Sequence, residues 1–138
     1  MIETSAAPEC ARILVVEDND ELRNLVVRAL IGRGYAVESA ADGDKGSEAM
    51  RRDRFDLLLT DLIMPGQEGI ELILAARSCS PGLKIVAMSG GSLQNGHDYL
   101  PLASKLGAAA VLAKPFSLPD LLGTVSQVIK EPAPREKA

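Results

Sequence analysis

Aromatic residues are scarce in this chain. Two tyrosines, two phenylalanines and no tryptophan make up 3% of its 138 residues, so a core must be built from aliphatic side chains. Cysteine is scarce too. Cys10 and Cys79 fit neither a zinc nor a redox spacing, which excludes a disulfide scaffold and reads as two free thiols in a reducing cytoplasm. The one histidine, His97, lies in a polar stretch and reads as a solvated loop residue. No apolar run reaches the ~18 residues of a membrane span, and the N-terminus has no basic segment leading into an apolar one, as a signal peptide would. A membrane location is therefore not expected. Basic charge is not in excess either. Nineteen acids against fifteen bases leave a net charge of −4, which argues against a broad phosphate-binding surface and hence against a nucleic-acid partner.

What remains is an ordinary globular composition, 46% hydrophobic and 25% charged. The length suits one domain, on a prior of about 150 residues each, and such a chain buries about 68–70% of its unfolded surface without a staple. The small, polar segment Met1–Ala11 reads as a loose lead-in, and Glu131–Ala138, rich in proline and charge, as a disordered tail. Residues 12–130 between them form the expected domain.

Strand and helix patterns alternate along that domain. Ile13–Val16 is a β-branched run suited to a strand covered on both faces. Asp20 is placed to cap the next helix, whose apolar positions are Leu22, Leu25, Val26, Ala29 and Leu30. Gly32 and Gly34 stop it. Tyr35–Ser39 is a weaker strand, Asp44–Arg52 a more polar helix, and Leu57–Thr60 a third strand. Pro65, Gly66 and Gly69 precede a helix over Ile70–Ser78, with Pro81 and Gly82 at its end. Lys84–Met88 is a fourth strand, followed by a long loop over Ser89–Gly96. A fourth helix is expected over Tyr99–Leu106, a fifth strand over Ala109–Ala113, and a last helix capped by Ser117. Pro119 sits in that helix's first turn, and Leu121, Leu122, Val125, Val128 and Ile129 form its stripe. Such alternation implies right-handed crossovers and a three-layer α/β/α sandwich around a five-stranded parallel sheet.

Sheets of this kind place their chemistry beyond the C-terminal strand ends. Glu17 and Asp18 follow the first strand, Asp61 the third, Ser89 the fourth and Lys114 the fifth. Each alone is an unremarkable loop residue, but strand register brings them to one rim. Three adjacent carboxylates repel, and a hard divalent cation held by oxygen ligands relieves this: Mg²⁺, with Mn²⁺ as a substitute. Beside it, Asp61 can act as a nucleophile toward a phosphoryl group, with Lys114 and the Ser89 hydroxyl meeting charge on the phosphoryl oxygens. The Lys114-Pro115 bond, right after a strand, is a candidate cis peptide.

With those residues placed, the sequence resembles the receiver domains of two-component response regulators over Arg12 to about Lys130. The resemblance is carried by Glu17-Asp18, by Asp61 with Met64-Pro65 and Gly69, by Ser89, and by Lys114-Pro115-Phe116. Asp42-Gly43 and Gly107-Ala108 also match. It implies the strand order 2-1-3-4-5. It further implies Asp61 as acceptor of a phosphoryl group from a histidine kinase or histidine phosphotransfer protein. Glu17, Asp18, Asp61 and the backbone carbonyl of Ile63 are then the Mg²⁺ ligands, Ser89 the switch hydroxyl and Lys114 the phosphate contact. A downstream protein would read the face formed by the fourth helix, fifth strand and last helix. Such a domain is no enzyme beyond its own phosphorylation and dephosphorylation.

Two features depart from the family pattern. Val111 stands where a switching Tyr or Phe is common, so a switch must rely on Ser89 and the loop Gly90–Gly96. Ile63 and Gly91 flank the expected phosphoryl site, and neither can position a water, which predicts slow hydrolysis of the phospho-form.

Three other readings compete with a single-domain response regulator. The chain could be a receiver from a hybrid kinase or a longer regulator. A Mg²⁺-dependent aspartyl phosphatase is disfavoured, because the second acid of the Asp-x-Asp pattern is Ile63 and no cap domain is present. A flavin-binding module is disfavoured by the acidic rim.

Overall fold

The computed structural model describes residues 11–62, 68–80, 82–89 and 107–131. The expected helix at 99–106, the loop beyond Ser89, His97, Cys10 and Ile63 lie outside the described residues, as does most of the expected lead-in and tail. Ala11 is already buried, so packing begins one residue earlier than composition suggests.

The described elements are β1 (Arg12–Val16), α1 (Asp20–Gly32), β2 (Ala36–Ala40), α2 (Gly43–Arg52), β3 (Leu57–Asp61), α3 (Glu68–Cys79), β4 (Lys84–Ser89), β5 (Ala110–Ala113) and α4 (Leu118–Lys130). The five strands form one sheet in the order β2-β1-β3-β4-β5, and all four pairings are parallel. This is the α/β architecture and strand order expected. The strands are apolar runs because both faces are covered. On one side Leu14, Val16, Leu58, Ile85 and Ala87 pack against α2 and α3 through Ala49, Leu72, Ile73 and Ala76. On the other, Ile13, Val15, Leu57, Leu59, Val86, Met88 and Leu112 pack against α1 and α4 through Val26, Leu30, Leu121, Val125 and Val128. The alternation within each strand is the two-residue period of the pleat.

Helix ends follow local chemistry, with one correction. Asn19, not Asp20, caps α1: its Oδ1 accepts from the Leu22 N–H at 2.8 Å. Asp20 instead sits in the first turn, where its charge meets the helix's positive end. Leu25, expected in the buried stripe, is 48% exposed, because the covered face of α1 narrows to Val26 and Leu30 with Leu22, Val27 and Ala29 partly covered. The helix runs through Gly32 to a cap at Arg33, and Gly34 takes the left-handed conformation (φ 96°) that releases the chain into β2. Asp42 caps α2 by accepting from the Lys45 N–H, and Ser117 caps α4 by accepting from the Asp120 N–H. Lys84, at the start of β4, donates to the Ile129 carbonyl at 2.8 Å and also to that of Glu131, tying down the C-terminal end of α4. Among the described residues no helix is long and apolar enough to cross a membrane. Cys79 is a free, exposed thiol at the end of α3.

Candidate functional site

Register builds the site. Val16 pairs with Thr60 and Asp61 with Met88, so Glu17, one residue past Val16, stands level with Asp61. Glu17, Asp61 and Lys114 continue the alternation of Ile13/Val15, Leu57/Leu59 and Ala110/Leu112, which points to the α1/α4 side. Three segments 97 and 53 residues apart in sequence therefore meet. The Lys114 Nζ donates to Glu17 Oε1 and to Asp61 Oδ2, each at 2.8 Å. Lys114 follows β5 directly, with its backbone N–H donating to the Ser89 carbonyl at 2.8 Å, and its bond to Pro115 is cis.

Glu17 and Asp61 are buried, whereas Asp18 is exposed. One ligand oxygen from each of the three lies within 4.8 Å of the others. Burial pushes the Glu17 carboxyl above its ordinary value of 4.5. The hydrogen bonds from Lys114 and from the Asn19 N–H oppose this without overcoming it, and the neighbouring Asp61 charge adds to the rise. At Lys114 burial acts to lower the pKa, but the hydrogen bonds and charges of Asp61 and Glu17 outweigh it, and the ammonium is held above 10.5. The two directions agree physically: the lysine has two carboxylate partners, while Glu17 shares one lysine and faces a like charge. One lysine thus leaves the cluster short of positive charge, and an all-oxygen donor set with a negative surplus fits a hard divalent cation.

Ser89 is 5% exposed, and its Oγ has no hydrogen-bond partner among the described residues. A buried hydroxyl without a partner carries a desolvation cost of about 1–3 kcal/mol, so it is a group waiting for an acceptor. Val111, half-buried, packs against the α2/α3 side of the core.

The rim thus joins three acids, a lysine and a buried hydroxyl at the C-terminal ends of a 2-1-3-4-5 sheet. The family model described as Response regulator receiver domain matches residues 13–126. The chain belongs to that family. This receiver domain is 36% identical over 118 residues to "Response regulator receiver protein CpdR" of Brucella abortus (strain 2308), covering 86% of this chain and 96% of that protein. It is also 36% identical over 123 residues to "Sensor kinase CckA" of the same organism, covering 88% of this chain but only 13% of that protein. Among solved structures, a "response regulator receiver domain protein (CheY-like)" from Methanospirillum hungatei JF-1 superposes with a TM-score of 0.77 at 31% identity, covering 87% of this chain and 94% of that one. Receiver domains of this family generally bind Mg²⁺, which accords with the acid cluster.

Sequence reasoning brought Glu17, Asp18, Asp61, Ser89 and Lys114 to this rim, and the structure places all five at the strand ends; Ile63 lies outside the described residues. It missed the residues that hold the acid loop of the receiver. The Asn19 N–H donates to Glu17 Oε2 at 3.0 Å. The Arg23 side chain donates through Nη1 to the Glu17 carbonyl at 2.8 Å and through Nη2 to Asp20 Oδ1 at 2.6 Å. A signal was present: an arginine at the end of a helix's first turn opposes the macrodipole, so it calls for a local partner. The Thr60 hydroxyl, fully buried, donates to the Asp61 carbonyl at 3.1 Å.

Proposed function

We propose that this receiver domain accepts a phosphoryl group on Asp61 from a phosphohistidine of a histidine kinase or histidine phosphotransfer protein, in a Mg²⁺-dependent reaction. The observation that carries this reading is the two-way hydrogen bond of Lys114 to Glu17 and Asp61, which holds a cation beside the acid at the end of β3. Glu17, Asp18 and Asp61, with the Ile63 carbonyl, would hold the metal. When bound, Mg²⁺ supplies Lewis-acid stabilisation of charge on the phosphoryl oxygens.

The chain's own part follows. An Asp61 carboxylate oxygen attacks phosphorus as the bond from phosphorus to the donor nitrogen breaks, and that electron pair leaves with the imidazole. Lys114 turns an N–H from carboxylate to phosphoryl oxygen, and the unpartnered Ser89 hydroxyl donates to another. Drawing Ser89 inward biases two arrangements of the β4–β5 edge, and a downstream protein reads the difference on the face of the fourth predicted helix, β5 and α4. The only reactions catalysed are the domain's own phosphorylation and dephosphorylation. The cysteine spacing, which fits neither a zinc nor a redox motif, is the ground for a reducing, cytoplasmic setting. Output through protein contacts is the reading for the chain as it stands, whether alone or joined to further domains.

The test is incubation with Mg²⁺ and a small phosphodonor, followed by intact-mass measurement. Wild type gains one phosphoryl group and Asp61→Asn gains none. Equal uptake by the mutant removes Asp61 from the mechanism.

A further inference from the structure

We propose that Arg23 is a positioning residue for the acid loop: by binding the Glu17 carbonyl and Asp20 together it sets the geometry in which Glu17 and Asp18 present their carboxylates. This rests on the receiver reading of the site.

Arg23 sits one turn into α1, where a cation faces the positive end of the helix. Its side chain is nonetheless mostly covered, 16% exposed, whereas its partner Asp20 is 79% exposed. The planar guanidinium engages both acceptors at once, Nη1 on the Glu17 carbonyl and Nη2 on Asp20 Oδ1. A lysine ammonium has no such fixed fork. Glu17 is consequently held at every polar group it has. Its N–H donates to the Ala40 carbonyl at 3.1 Å, its carbonyl accepts from Arg23, and its carboxylate accepts from Asn19 and Lys114. Asp18 lies between two anchored residues, Glu17 and Asn19. A loop ordered during folding does not have to be ordered again when a cation binds, and affinity gains by that difference.

Charge and position predict opposite signs. As a bare cation near the cluster, Arg23 repels Mg²⁺, so its removal tightens binding. As a clamp on the loop, its removal loosens binding. Arg23 touches the backbone carbonyl of Glu17 rather than its carboxylate, which favours the clamp.

The experiment is calorimetric titration of Mg²⁺ into the full 138-residue chain, as wild type, Arg23→Ala, Arg23→Lys and Asp20→Asn. Supporting partners of metal ligands typically cost about 10–100-fold in affinity when removed. Arg23→Ala is expected at roughly the ten-fold end of that range, Asp20→Asn shows a smaller loss in the same direction, and Arg23→Lys fails to restore wild-type affinity. Phosphoryl uptake at saturating Mg²⁺ stays close to the wild-type maximum, while the Mg²⁺ needed for half-maximal rate rises. Unchanged or tighter Mg²⁺ binding by Arg23→Ala overturns the proposal, as does full restoration by Arg23→Lys. Should Arg23→Ala fail to fold, unchanged affinity in Asp20→Asn overturns it. A wild-type chain that binds no Mg²⁺ overturns the receiver-site reading itself, a result distinct from a silent Arg23 variant.

Discussion

Gly69 lies hard against the backbone of Asp61: a Cβ built on Gly69 would stand 2.0 Å from the Asp61 carbonyl oxygen and 2.5 Å from that of Leu62. The first turn of α3 thus closes over the end of β3, at the proposed acceptor Asp61. The obstacle is backbone, which moves less readily than a side-chain tip. Gly69→Ala is expected to cost about 1–3 kcal/mol through overpacking and to slow phosphoryl uptake by displacing Asp61. Denaturant unfolding alongside uptake kinetics checks both, and a variant as stable and active as wild type would contradict the contact.

Lys114 links two acids that burial has taken out of water. Removing it leaves Glu17 and Asp61 facing each other with their shared cation gone. Breaking a buried pair typically costs about 3–5 kcal/mol, and the partial exposure of Lys114, 21%, places Lys114→Met near or below the low end. Chemical denaturation of the metal-free protein at neutral pH measures it. Added Mg²⁺ should recover part of the loss, because it restores positive charge to the same oxygens.

The raised pKa of Glu17 gives the metal-free fold a pH dependence with a definite sign. The folded state holds the Glu17 proton more tightly than the unfolded state does. This residue's contribution is therefore fully present below the ordinary value of 4.5 and is lost as pH rises through the raised folded value. Lys114, raised above 10.5, keeps its contribution throughout that window and loses it only in strong alkali. Glu17→Gln should flatten the acid-side dependence and raise metal-free stability at neutral pH, while abolishing the stabilisation by Mg²⁺. Thermal unfolding with chelator and with Mg²⁺ across the acidic to neutral range reads all three effects.

Ser89 should show stability and function pulling apart. Its buried hydroxyl lacks a partner among the described residues, so Ser89→Ala leaves the resting fold unchanged or stabilises it by about 1 kcal/mol. The same variant should take up phosphoryl more slowly and lose the conformational change on phosphorylation. Equilibrium unfolding and amide exchange of the two forms test this. A clear destabilisation would mean that the hydroxyl is already satisfied.

Hydrolysis of the phospho-form is expected to depend on whether a side chain near Asp61 can hold a water. Ile63, two residues past the proposed acceptor in the sequence, has no polar side-chain atom to do so. Ile63→Asn supplies an amide there, and decay of the phosphorylated chain should accelerate. Equal half-lives followed by intact mass would show that water positioning at this residue does not set the rate.

The amino-acid sequence alone determined the layer architecture and the identity of the chemical groups. Apolar three- and four-residue runs, such as Leu57–Leu59 and Ile85–Met88, suit strands covered on both faces. Their alternation with amphipathic stripes such as Leu121, Val125 and Val128 leaves a parallel sheet as the economical solution. Once the sheet is parallel, residues following its strands must share an edge, so Glu17, Asp18, Asp61, Ser89 and Lys114 could be gathered by eye. Helix boundaries were less legible. Asn19 and Asp20 are both good caps, and which one closes α1 depends on where the chain leaves β1. Leu25 carries the right period for the core yet stays exposed, since α1 is covered only where the sheet and α4 reach it.

Only the tertiary structure decided how those groups meet. Strand order came with the family resemblance, because strand patterns by themselves do not say which strand lies beside which. The pairing of Lys114 with both Glu17 and Asp61 needs β1, β3 and β5 in register, a relation spanning 97 residues. Arg23 and Gly69 gain their meaning the same way. In the sequence one is a cation at an unfavourable place in a helix and the other a breaker before one. In the fold, Arg23 holds the backbone of Glu17 and Gly69 makes room for that of Asp61. Backbone contacts of this kind leave no mark in hydrophobic period or charge pattern, because they depend on where a carbonyl points after folding.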